Sequence, residues 1–84
     1  MKYSIHISTS AQKQFTKLPY NIQSRIRDKI LTLESNPRPF GIKRLSNTQY
    51  HRLRTGDYRA IYSIDDDHKI VTILDIAHRR EVYR

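Results

Sequence analysis

From Tyr50 the sequence pattern changes toward a period of two, whereas between Ser8 and Leu33 apolar residues recur every third or fourth position. This change of period, from 3.6 to 2, predicts helices first and strands afterwards. In the first half, "STS" at 8–10 offers hydroxyl caps for a helix with Ala11, Phe15 and Leu18 on one face. Pro19 ends that helix and Asn21 is positioned to cap the next, whose stripe is Ile22, Ile26, Ile30 and Leu33. "NPRPFG" at 36–41 stops the second helix, since two prolines and a glycine cannot continue it. In the second half, residues 50–54, 58–64 and 69–77 read as strands joined by turns at "TGD" and "DDDH". "YSIHI" at 3–7 alternates as well, and adds a strand at the start.

The order is strand, helical hairpin, three-stranded antiparallel meander, which predicts an α+β, two-layer sandwich. At 84 residues there is room for one core, so residues 1–84 are read as a single domain. Hydrophobic residues are only 37% of the chain, so the rings of six tyrosines are expected to help fill that core.

If Gly56 and Asp57 form a two-residue turn, Thr55 pairs Tyr58, Arg54 pairs Arg59 and Arg52 pairs Ile61. Cross-strand partners share a face, so Arg52, Arg54 and Arg59 project together, with Tyr50 in line. Leu53, Tyr58, Ala60, Tyr62 and Ile64 take the opposite face, toward the helices. Like charges opposed across a hairpin cost stability, which suggests an anion in the working state. The bland alternative is a set of arginines splayed into water.

Sixteen Lys and Arg against eight Asp and Glu give a net charge of +8. That is the signature of a polyanionic partner, nucleic acid first, with an acidic protein as the alternative. The cations expected on such a surface include Arg25 and Lys29 of the second helix and Lys43 and Arg44 of the link that follows. There is no cysteine, no glycine-rich phosphate loop and no metal-ligand spacing, so neither cofactor nor metal is expected. His6 and His51 lie in strand patterns and read as half-buried structural residues, and His68 belongs to the acidic turn. His78 stands beside a basic cluster, where a group titrating near neutrality can move a proton. No apolar run approaches a membrane span and "MKYSIHIS" lacks signal-peptide character, so a cytoplasmic protein is expected.

An arginine-rich site without metal suits phosphodiester chemistry on RNA, which carries its own nucleophile in the 2′-hydroxyl. Arginines would neutralise the charge that grows on the phosphate.

The pattern R-x-G-D-Y-R-x-x-Y at 54–62, together with "HRREVY" at 78–83, resembles the RelE toxins of the RelE/ParE superfamily. "LPYNIQSRI", "NPRPFGIKRL" and the order of elements agree with it. The resemblance implies a RelE-like fold and the toxin of a type II toxin–antitoxin pair, an endoribonuclease that cuts messenger RNA on the ribosome. It implies 2′-hydroxyl attack, a 2′,3′-cyclic phosphate product, and a cognate antitoxin that wraps the toxin in a hetero-oligomer. Arg59 falls on the family's phosphate-binding arginine. Arg79 falls on the arginine that supports the scissile phosphate or leaving group, with Arg80 the occupant if the alignment slips by one. Tyr83 falls on the tyrosine that orients or activates the nucleophile or stacks on a base.

Arg52 and Tyr50 stand where well-studied members have lysines. Arginine stays charged and cannot act as a base. Proton abstraction then falls to Tyr83 or His78, or the activity is weak. Arg54, Tyr50, Arg80, Lys43, Arg44, Arg25 and Lys29 are the expected RNA- or ribosome-binding residues. Two other readings stand beside this one: a ParE-type inhibitor of DNA gyrase, and a basic RNA- or ribosome-binding module with little catalysis.

Overall fold

The computed structural model describes residues 2–38, 43–44 and 50–78. Strand β1 (Ser4–Ile7) leads into helices α1 (Thr9–Thr16) and α2 (Tyr20–Thr32), then the two-residue strand β2 (Lys43–Arg44), β3 (His51–Thr55), β4 (Tyr58–Asp65) and β5 (Ile70–His78). The sheet runs in the order β1-β5-β4-β3-β2. Only the β1–β5 pair is parallel. The expected α+β sandwich is therefore present, with one more short strand than the periodicity shows. Two residues are too few to carry a pattern.

The Ser8 hydroxyl caps α1 by accepting from the Ala11 amide at 3.1 Å. The second cap differs from expectation: α2 begins at Tyr20 with Pro19 in the cap position, not at Asn21. The ring holds φ at −56°, and the Pro19 carbonyl accepts from the amides of Ile22 and Gln23. One proline thus ends the first helix and starts the second. The Gln23 side-chain amide donates back to the Leu18 carbonyl at 3.0 Å, just past α1, and to the Thr16 carbonyl in its last turn at 3.5 Å.

Both helices cover one face of the sheet. Ala11, Ile26, Ile30 and Leu33 meet Leu53, Ala60, Tyr62, Val71, Ile73 and Ile76 in a single core. Tyr62 is fully buried, and its hydroxyl donates to the Pro37 carbonyl at 2.8 Å. Burial pushes its phenol up to about 12. Tyr3 and Tyr58 pack at the core margin, while Tyr20 and Tyr50 are exposed, so the tyrosines fill the core only in part. His51 stacks on Tyr62 at 5.5 Å and is half-buried as expected, but His6 is exposed. Among the described residues no helix is long and apolar enough to cross a membrane.

Candidate nucleic-acid interface

Gly56 and Asp57 close the β3–β4 hairpin. Gly56 holds φ at +58°, and Lys69 is the one other described residue with a positive φ, so Asp57 stays in the ordinary region. That combination is a type II′ turn, whose twist suits a two-residue hairpin and whose first central position favours glycine. A Cβ at Gly56 would meet nothing within 4 Å, so glycine is needed there for its backbone freedom alone.

The turn fixes the register. Thr55 pairs Tyr58, Arg54 pairs Arg59, Leu53 pairs Ala60 and Arg52 pairs Ile61. Arg52, Arg54 and Arg59 consequently share the face that carries no helix. Arg59 is 5% exposed, so it is not an arginine splayed into water. Its partner on β5 is the small Ala77, which leaves room beside it. Arg54 is exposed and its Nε donates to the Gly56 carbonyl at 3.2 Å, folding the side chain over the turn. Arg52 is half-buried, and Lys43 takes the adjacent register position on β2, with Arg44 opposite His51. Tyr50 is exposed just ahead of β3.

Other expected site residues lie elsewhere. Arg25 and Lys29 are exposed on α2, in the helical layer on the far side of the sheet. His78 pairs Tyr58 and meets its ring edge-on at 5.2 Å, which places it on the helix side. It is therefore not beside Arg52 and Arg59. The reason is a β-bulge. Ile61 pairs Asp75 and Tyr62 pairs Ile73, leaving Leu74 as an extra residue on β5. In an uninterrupted strand continuing from Val71 and Ile73, His78 would fall on the arginine face and Asp75 on the core face. The bulge exchanges them. Asp75, read from the sequence only as the close of a strand, joins the row of Arg52 and Ile61. Arg79, Arg80 and Tyr83 lie outside the described residues.

The opposite end of β4 is acidic. Asp66 accepts a bidentate pair of bonds from Arg38, at 2.8 and 3.2 Å, and one from the Tyr3 hydroxyl at 2.6 Å. These bonds hold its carboxyl down at about 2. Asp65 is lowered by the backbone amide and then the ring of His68. Eight residues at roughly 3.3 Å each separate this turn from the Gly56 turn, so the hairpin is cationic at one end and anionic at the other. A polyanion laid on the helix-free face is drawn to the arginines and repelled from the aspartates.

Known proteins resemble this chain in sequence and in fold. The profile of a family described as "ParE toxin of type II toxin-antitoxin system, parDE" matches residues 5–83. Toxin RelE of Mycobacterium tuberculosis is 36% identical over 98% of this chain and 87% of its own length. Toxin RelG of the same organism is 33% identical over 100% and 99%. Among solved structures, the archaeal RelE–RelB complex of Pyrococcus horikoshii matches with a TM-score of 0.83 and 32% identity, covering 94% of this chain and 97% of the other. The RelBE2 toxin–antitoxin complex of M. tuberculosis matches with a TM-score of 0.81 and 30% identity, covering 94% and 100%. With a family profile spanning nearly the whole sequence and relatives above 30% identity along its full length, this chain belongs to the RelE/ParE superfamily of type II toxin–antitoxin toxins.

Proposed function

We infer that this toxin is an endoribonuclease that cuts messenger RNA on the ribosome by attack of the RNA's own 2′-hydroxyl, leaving a 2′,3′-cyclic phosphate. The observation that carries the reading is the row of Arg52, Arg54 and Arg59 on the helix-free face, with Arg59 buried in it. A guanidinium withdrawn from water binds a phosphate oxygen more strongly than one in bulk solvent, and its planar fork suits two oxygens at once. Arg59 is the phosphate-binding residue, flanked by Arg52 and Arg54. Arg79 and Tyr83 take the supporting roles that the family resemblance implies. The relatives solved with RelB argue for a cognate antitoxin here too, one whose acidic surface covers the +8 toxin.

Primer extension on a message bound to purified ribosomes tests this. The wild type should produce discrete cuts, and Arg59→Ala should slow them by about 10²–10³-fold, the order seen when one donor to a transition-state oxyanion is removed. Intact messages in cells whose growth has stopped would sink the nuclease reading. The second reading is a gyrase poison, favoured by the ParE description of the matching family. It requires the purified toxin to block supercoiling in a gyrase assay, and unaltered supercoiling counts against it.

A further inference from the structure

We propose that Asp75 is the general base of this site, taking the proton from the attacking 2′-hydroxyl. The inference rests on the ribonuclease reading and names a proton acceptor among the described residues, because none of the three arginines can accept a proton.

The geometry begins with the bulge. Leu74 is the unpaired extra residue, and beyond it Asp75 stands opposite Ile61, which in turn stands opposite Arg52. Asp75 is thus two strands from Arg52 in one row and diagonal to Arg59, whose own partner is Ala77. Diagonal neighbours on one face of a sheet lie about 7–8 Å apart at Cα, within reach of long side chains. Among the described residues, Asp75 is the carboxylate beside a phosphate held by Arg59 on this face.

Among the described residues that carboxylate serves no structural ion pair. The ion pairs among the described residues are Arg38–Asp66 and His68–Asp65, both at the opposite turn, and Asp75 takes part in neither. It is also half-buried, so water screens it less than a surface carboxylate. Among the described side chains, the charged groups around it on its face are Arg59 on β4 and Arg52 and Arg54 on β3. On its other side β1 has already ended, its last register pair being Ile7 with Ile73, and His6 lies further back opposite Thr72. The described charged groups on this face around Asp75 are cationic. Of the other proton acceptors suggested by the sequence, His78 is on the far face and Tyr83 lies outside the described residues.

The step balances without a co-reactant. The Asp75 carboxylate takes the 2′-hydroxyl proton, and the freed electron pair on O2′ forms a bond to phosphorus. Arg59, Arg52 and Arg54 neutralise the charge on the phosphoryl oxygens. The P–O5′ bond breaks, its electron pair leaves on O5′, and that oxygen takes a proton from water. The hydroxide so formed recovers the proton held by Asp75, and the products are a 2′,3′-cyclic phosphate and a 5′-hydroxyl.

The test uses the full chain on ribosomes programmed with a message. Asp75→Asn is nearly isosteric and should slow cleavage by about 10²–10³-fold, within the usual range for a positioned base. The acid limb of the wild-type pH–rate profile should disappear with it. Affinity for a message with a 2′-deoxy sugar at the cut site should be unchanged or tighter, because a negative charge beside the phosphate is gone. Asp75→Ala should recover part of its rate in added formate, which a merely structural carboxylate would not allow. Wild-type cleavage retained in Asp75→Asn, with the same pH profile, overturns this inference and leaves the nuclease reading standing. A wild type that cuts no message overturns both.

Discussion

At the scale of single residues, the structure separates two kinds of buried polar side chain on β4. Tyr62 and Arg59 are three positions apart and face opposite sides of the sheet. Tyr62 anchors the chain after α2 through its bond to the Pro37 carbonyl, and its chemistry is structural. Tyr62→Phe keeps the ring volume but leaves that carbonyl without its donor, so it should cost about 1–2 kcal/mol in urea unfolding while toxicity is kept. Arg59 answers to the reverse test, with stability nearly kept and cleavage lost. Both positions were legible in the sequence, because the TGD turn sets the phase of every residue on β3 and β4. The roles of Arg79 and Tyr83 rest on the resemblance alone.

At the scale of elements, the informative feature is the end of β5. β1 stops at Ile7, so among the described residues β5 from Leu74 onward has no strand on that side. Helix α1 fills in for it: the Ser8 hydroxyl donates to the Leu74 carbonyl at 3.1 Å, and Gln14 Oε1 accepts from the Ile76 amide at 2.8 Å. These two bonds hold the segment that contains the bulge and Asp75. Gln14→Ala should therefore accelerate hydrogen exchange of the Ile76 amide and destabilise the fold by about 1 kcal/mol. Gln14→Glu, which retains an acceptor, should protect that amide better than alanine does. None of this was readable from "KIVTILDIA". Alternation identifies a strand, but an inserted residue that reverses its phase leaves no mark when leucine, a residue fit for either face, is the one inserted.

At the scale of the whole molecule, three distant segments meet at the acidic turn. Tyr3 from the start of the chain, Arg38 from the link after α2 and Asp66 between β4 and β5 form one hydrogen-bonded cluster. The folded carboxyl of Asp66 is at about 2, below its ordinary 3.8. A lowered folded value means that the cluster stabilises the protein fully above pH 3.8 and loses that contribution as pH falls toward 2. The melting temperature of Asp66→Asn should accordingly lie below that of the wild type near neutrality, and the gap should close as pH approaches 2. A gap that persists in acid would mean that the cluster acts through shape and not through charge. The same turn gives the arginine face its anionic far end.

Local chemistry was enough to specify the order of elements and, given a two-residue turn at Gly56 and Asp57, the arginine row, because each depends on periodicity and on what glycine and proline permit within a few residues. Which side chains accompany that row depended on contacts from elsewhere in the chain. A bulge at Leu74, held by Ser8 and Gln14 from a helix some sixty residues earlier, turned His78 toward the helices and Asp75 toward the arginines. The phase of a strand beyond a bulge is set by the neighbours that bond its backbone, and those neighbours are assembled only by the fold.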